Sequence, residues 1–186
     1  LGNATAFTYD ANGNQQTMVD ARNNVIRFEY DANNRGTRVV YPDDTAQITE
    51  FDALGRTIAK TDQAGRTTRF EFDRVGRLQR VRDARAQVTS YTFDEVGNRL
   101  SQTDANNHTT TFEYDRLGRR VRRTLPEGMA ESYTYDAAGS MTNRTDFLGK
   151  TTVYAYDAMR RLLSKTPDPS LNQPSVNYTY TSTGRR

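Results

Sequence analysis

An aromatic residue followed by aspartate recurs along this chain at a fixed step, and that step limits the fold more than any other feature. The pairs are Tyr9-Asp10, Tyr30-Asp31, Phe51-Asp52, Phe72-Asp73, Phe93-Asp94, Tyr114-Asp115, Tyr135-Asp136 and Tyr156-Asp157, each 21 residues after the last. A ninth copy, Tyr180-Thr181, comes 24 residues later, and the extra three residues fall in the Pro-rich stretch 167–174. Self-similarity at one period marks a repeat architecture in which neighbouring units bury each other.

Other positions keep the same period. A second aromatic sits two residues earlier, as Phe7, Phe28, Phe70, Tyr91, Phe112, Tyr133, Tyr154 and Tyr178, with Thr49 the one break. These two positions hold 17 of the 19 aromatics and leave out only Tyr41 and Phe147. Four residues after the key ring comes Gly13, Gly55, Gly76, Gly97, Gly118, Gly139 or Gly184, replaced by Asn34 and Arg160 in two units. Arg or Asn usually follows, as at Arg56, Arg77, Asn98 and Arg119. Ten residues after the first Asp, a second recurs as Asp20, Asp62, Asp83, Asp104 and Asp146, and is expected to open a connecting loop.

The segment Thr67-Thr68-Arg69-Phe70-Glu71-Phe72 predicts a strand. Side chains alternate faces, so Phe70 and Phe72 share one side and Glu71 points to the other. Asp73-Arg74-Val75-Gly76 predicts a turn, with Gly supplying positive φ and the Asp side chain bonding amides two residues on. A second strand follows from Leu78. Its inward residues are expected to be Ile58, Leu78, Leu100, Val121 and Leu163, but their phase slips by one residue, which a bulge would explain. The fold class is therefore all-β: an array of 21-residue β-hairpin repeats, nearly nine in number and about seventeen strands long. Open sheets beyond about ten strands curl or split, so a curved, spiralling antiparallel sheet is expected. Its aromatic ladder must face an interior, another stretch of wall or a cargo.

Composition narrows the class. Leu, Ile, Val and Phe total 32 of 186 residues, too few for a thick aliphatic core. Yet the charges nearly cancel at +3, so the disordered class does not fit either. Absence of cysteine removes disulfides and thiolate metal sites. No apolar run is long enough to span a membrane as a helix. The basic residues alternate with acids, so no nucleic-acid patch is expected. Both termini are expected to be internal points of a longer protein, because Leu1-Gly2-Asn3-Ala4-Thr5 has no leader character and Gly184-Arg185-Arg186 stops within a repeat.

The pattern Phe72-Asp73-Arg74-Val75-Gly76-Arg77-Leu78, repeated from about residue 5 to 186, resembles the YD repeat of the Rhs family. That family includes bacterial polymorphic toxins, the B and C components of insecticidal toxin complexes, and teneurins. The resemblance implies a spiralling β-cocoon that, in the bacterial members, encloses a variable C-terminal toxin. It implies as partners the remaining repeats of the same shell, an enclosed C-terminal toxin domain and a secretion-apparatus protein. It also implies an exported protein, secreted or at the cell surface. The family's Asp-Pro-x-Gly cleavage motif is matched only by Asp-Pro in Asp168-Pro169-Ser170-Leu171, which lacks the Gly and is expected to be a surface loop.

Catalysis finds little support in these residues. One carboxylate per turn falls short of the six to eight oxygens that calcium takes, so turn capping is the expected role of the Asp series and no cofactor or metal is expected. Exposed Asp–Arg pairs such as Asp52 with Arg56 contribute little, and Asn14, Asn98 and Ser140 replace the Arg without breaking the period. His108 lies in a polar loop without partners for nucleophilic work. Repeated carboxylates share one environment, whereas acid–base pairs need two. The expectation is a non-enzymatic section, 1–186, of a shell that encapsulates and shields a C-terminal toxin or effector. The alternative is a cell-surface carbohydrate-binding or adhesion repeat, in which the rings would stack on sugar.

Overall fold

The computed structural model describes residues 4–181, so the ninth-repeat Gly184 and Arg185 lie outside the described residues. The chain divides into two compact units, 1–90 and 91–186. The first carries β1 (Ala6–Tyr9), β2 (Gln15–Val19), β3 (Val25–Tyr30), β4 (Gly36–Val40), β5 (Ala46–Phe51), β6 (Thr57–Thr61), β7 (Thr67–Phe72) and β8 (Leu78–Arg82). The division falls within β9 (Val88–Phe93). The second unit continues with β10 (Arg99–Thr103), β11 (Thr109–Tyr114), β12 (Arg120–Thr124), β13 (Ala130–Tyr135), β14 (Met141–Thr145), β15 (Thr151–Tyr156), β16 (Leu162–Thr166) and β17 (Val176–Asn177). Among the described residues, the seventeen strands each pair antiparallel with their sequence neighbours.

Every unit of 21 residues contributes two strands and two turns. The turns after β1, β3, β5 and so on hold the aromatic–Asp pairs and form the first rim. The turns after β2, β4, β6 and so on form the second rim. Both rims use the same device. In the first, Gly55 N donates to Asp52 O (3.0 Å) and Asp52 N to Arg56 O (3.0 Å). In the second, Gly65 N donates to Asp62 O (2.9 Å) and Asp62 N to Arg66 O (3.0 Å). This is a type I turn closed by a residue with positive φ, a common three-residue hairpin connection. The second connection, expected as a separate loop, is thus a hairpin turn of the same kind.

The two rims differ one residue further on. Phe72 lies opposite Leu78, but Glu71 lies opposite Arg80, so Gln79 is an extra residue in β8. The same shift follows the first-rim turn in β2, β4, β6, β12, β14 and β16. No such shift accompanies the second-rim pairs, where Thr17, Met18 and Val19 match Arg27, Ile26 and Val25 in order. This bulge corrects the expected inward set. Ile58, Val121 and Leu163 are the extra residues themselves, and Leu100 holds the same repeat position. Directly opposite residues share a face, so each second strand adds to the ring face at two places three residues apart. In β8 these are Leu78, facing Phe72, and Val81, facing Phe70.

The core is correspondingly thin. Among the described residues only Ala59, Phe112, Tyr133 and Glu131 are buried. Most rings are half-buried by the strands beside them. Stability in such an array is a sum over neighbouring units. The opposite face is polar. Glu71 pairs with Arg80 (2.9 Å) and Glu29 with Arg38 (3.5 Å) across strands, and Thr8 and Thr92 take the Glu position with hydroxyl bonds to Thr17 and Ser101. The Pro-rich stretch makes a 3₁₀ turn, Pro169–Leu171. Asp168 leads it, accepting from Ser170 N and, through its other oxygen, from Thr151 N at the start of β15 (3.0 Å).

Candidate functional site

The aromatic–Asp turn is the recurrent constellation of this chain. Asp52 shows its full form. Oδ1 accepts from Leu54 N (2.9 Å) and Arg56 N (2.9 Å), and Oδ2 accepts from Arg56 Nε (2.7 Å). The same set serves Asp31, Asp73, Asp115 and Asp157 with Arg35, Arg77, Arg119 and Arg161. Asp10 and Asp94 use Asn14 and Asn98 instead. At Asp136 the backbone amide of Ser140 supplies the bond (2.8 Å). The carboxyls of Asp10, Asp31, Asp52, Asp73, Asp94, Asp115 and Asp157 all sit below the ordinary aspartate value. For Asp52 partial burial opposes the charge, and the Arg56 amide and guanidinium outweigh it. Gly13, Gly55, Gly76, Gly97, Gly118 and Gly139 close these turns at positive φ.

Four of the turn Arg residues, Arg35, Arg56, Arg119 and Arg161, do a second thing that the single-repeat pattern does not reveal. Each guanidinium lies over the key ring of the following repeat. Arg35 stacks on Phe51, Arg56 on Phe72 and Arg119 on Tyr135, each at 4.7 Å, and Arg161 stacks on Tyr180 at 4.6 Å. Arg119 also donates to Asp136 O (3.1 Å) and Arg35 to Asp52 O (3.4 Å). Tyrosine reaches back the other way: Tyr114 donates to Arg99 O (3.1 Å), Tyr135 to Arg120 O (2.9 Å) and Tyr180 to Leu162 O (2.9 Å). Tyr9, Tyr30 and Phe93 hold the same repeat position, and Tyr156 lies opposite Leu162. The first rim is therefore a chain of clamps, turn to ring and ring to strand. The sequence signal was the Arg itself, but its partner lies 16 residues on, or 19 across the Pro-rich stretch, in a neighbouring hairpin.

The ring face changes character along the chain. In the first unit the second strands set Met18, Val39 and Val81 opposite Phe7, Phe28 and Phe70. In the second unit the same places hold Arg123 opposite Phe112, Arg144 opposite Tyr133 and Lys165 opposite Tyr154. Arg99 stacks on Phe112 (4.6 Å) and Arg120 on Tyr133 (5.1 Å). Glu131 stands where Thr68, Thr89, Thr110 and Thr152 stand in other units. It is 4% exposed, bonded by Arg144 (3.0 Å) and flanked by Arg123 (3.6 Å). Burial works to raise its carboxyl, but the Tyr133 hydroxyl and the Arg144 guanidinium outweigh it and hold the group below the ordinary glutamate value.

No group of three or more His, Cys, Asp or Glu residues that could hold a metal occurs among the described residues. His108 sits at a second-rim turn, exposed, 3.4 Å from Asp104. A depression of about 620 Å³ at the second rim of the first unit is lined by Lys60, Asp62, Arg66, Asp83 and Arg85 with threonines, and Arg66 there is already paired with Asp62. No helix among the described residues is long and apolar enough to cross a membrane.

Comparison with protein families gives a match to the RHS Repeat profile at residues 9–46, 51–88, 72–106 and 93–130, well over half of the chain. No curated protein matches the chain. Among solved structures, the crystal structure of TcdB2-TccC3 is similar with a TM-score of 0.72 and 21% identity, over 97% of this chain and 11% of that one. TcdB2-TccC3-TEV gives 0.69 and 22%, again over 97% and 11%. The Photorhabdus luminescens Tc holotoxin pore with a TccC3 mutation gives 0.66 and 18%, over 98% and 12%. At these identities the likeness is one of fold, and the chain spans about a tenth of the length of the chains it matches.

Proposed function

Because the chain belongs to the RHS repeat family, we propose that it is a section of a protein wall that encloses and shields a C-terminal toxin or effector for delivery. The partners on this reading are further repeats of the same wall and the enclosed polypeptide, with a secretion-apparatus protein as the carrier of an exported or surface protein. The whole of residues 1–186 serves as wall, and 167–174 is an insertion between repeats. The wall works by exclusion and not by catalysis. The observation that carries the reading is the difference between the two sheet faces. One is a lattice of Glu–Arg and Thr pairs suited to water, and the other carries the rings. The turn Asp, Gly and Arg residues serve this role by fixing successive rings on one side.

The adhesion alternative requires bare ring faces for sugar stacking. Guanidinium groups already cover Phe51, Phe72, Phe112, Tyr133 and Tyr135, which favours the wall.

Limited proteolysis of the full-length protein containing this segment tests the proposal. The polypeptide that follows the repeats is expected to resist protease until the wall is unfolded by denaturant. Cleavage of that region at the rate of the isolated, unenclosed domain would overturn the reading.

A further inference from the structure

We propose that the ring-bearing face of the second unit is a docking surface for a carboxylate-rich polypeptide segment, held by Arg99, Arg120, Arg123, Arg144 and Lys165. The inference rests on the wall reading, since the segment belongs to the enclosed polypeptide, and it names the chemistry that polypeptide presents. Among the described residues, and apart from the neutral Asp–Arg pairs of the first rim, the strands of this face carry five cations and one carboxylate, Glu131. The corresponding second-strand positions of the first unit offer a single cation, Lys60, opposite Thr49. An excess of this kind on one face of one unit attracts an oppositely charged partner and repels a basic one.

The geometry selects carboxylates on a chain. Arg99 and Arg120 are half-buried with their guanidiniums over rings, and among the described residues their side chains hydrogen-bond only neutral groups, Gln102 Oε1 (3.2 Å) and the Tyr133 hydroxyl (3.3 Å). A guanidinium over a ring keeps N–H groups that a carboxylate can take at two points. Stacking also restrains the side chain before binding, which lowers the entropic cost of capture. The cations stand on alternate strands, β10, β12, β14 and β16. Strands are about 4.8 Å apart, so the cations recur about every 10 Å across the sheet, close to three residues of extended peptide at about 3.3 Å each. Single-stranded nucleic acid would need open rings on which to stack its bases, and Phe112 and Tyr133 are only 6% and 9% exposed.

The test uses the 186-residue chain and a fluorescently labelled peptide with glutamate at every third position in a Gly/Ser background, read by anisotropy at moderate salt. Binding is expected, with loss when glutamine replaces glutamate in the probe. The Arg99→Gln/Arg120→Gln pair should weaken it about tenfold or more, while Arg122→Gln on the opposite face should leave it unchanged. Lys165→Gln, an exposed position away from Arg99 and Arg120, guards against misfolding of the pair and should weaken binding by a few fold. No binding, equal loss in Arg122→Gln, or equally tight binding of oligothymidylate or polygalacturonate would overturn the proposal. A wall that fails the proteolysis test while the peptide still binds in this pattern ends the enclosure reading and leaves the surface. A protective wall whose Arg variants bind normally does the reverse.

Discussion

The two rims are built from the same turn, yet only one of them kept a strict sequence. On the first rim all eight turns from Asp10 to Asp157 begin with Asp after an aromatic. On the second, Tyr41 and Leu125 stand in the Asp place and the turns still close, Asp44 N donating to Tyr41 O (3.0 Å) and Gly128 N to Leu125 O (2.9 Å). In the first of these a different carboxylate, Asp43, bonds Thr45. The residue at positive φ is equally free there, with Asn23, Asp44, Ala86, Asn107 and Gly65 all in use. The difference teaches that closing a hairpin does not demand the aromatic–Asp–Gly–Arg set. Where the first rim carries Arg, at Arg35, Arg56, Arg119 and Arg161, the set also links one hairpin to the next. Second-rim Arg66 pairs with its own Asp62 and is 72% exposed, whereas first-rim Arg119 is 27% exposed and spans to Tyr135 and Asp136.

If the first rim carries the ring row, the ring at its most enclosed point sets the scale. Phe112→Ala is expected to cost about 3 kcal/mol or more, measured by chemical denaturation, against a small change for Tyr9→Ala, whose ring is 60% exposed. Equal losses would mean that the ring row is not what holds the units together. The rims themselves separate next. Arg119→Ala removes a ring contact and a bond to a neighbouring carbonyl and should cost about 1–2 kcal/mol. Arg66→Ala should stay within about 0.5 kcal/mol, and matching values would break the comparison. Smaller still are the backbone effects. Gly76→Ala, at φ +89°, should destabilise by about 1 kcal/mol. Ala86→Gly, at φ 64° on the second rim, should stabilise by a few tenths. A loss at Ala86→Gly would say that its methyl group packs.

The smallest effect concerns Asp168, where the Pro-rich stretch replaces a second-rim turn. Bonds from the Ser170 side chain, the Thr151 amide and the Ser170 amide lower its carboxyl from 3.8 to about 2. A lowered folded value means that the contribution is complete above about 4 and is lost as pH falls towards 2. The protection of the Thr151 amide against hydrogen exchange, relative to the unfolded chain at the same pH, should therefore fall over that window, and Asp168→Asn should remove the acid step. A Thr151 amide equally protected at pH 2 and pH 5 would show that the bond does not hold the loop.

Much of this was legible from spacing. The period gave the strand count, and the pair of rings two residues apart placed them on one side. The Asp and Gly positions located the first-rim turns. What spacing could not show depends on neighbours. The bulge was visible only as a slip among Ile58, Leu78 and Leu100, because one extra residue shifts every later side chain without altering the 21-residue step. The stacking of Arg56 on Phe72 joins residues that no local motif pairs. Glu131 could have been noticed, since it breaks a run of threonines, but its burial follows from Arg123 and Arg144 on the adjacent strands. The second-rim segments opened by Asp62 and Asp104 read in sequence only as connecting loops, because a turn held by backbone bonds leaves little sequence trace.

A double-mutant cycle between Arg119 and Tyr135 tests the coupling of successive repeats most directly. Unfolding of Arg119→Ala, Tyr135→Leu and the pair should give a coupling energy of about 1 kcal/mol, with the same cycle on Arg66 and Asp62 giving about half of that or less. A coupling near zero between Arg119 and Tyr135 would show that the clamp does not join the hairpins and would contradict the account.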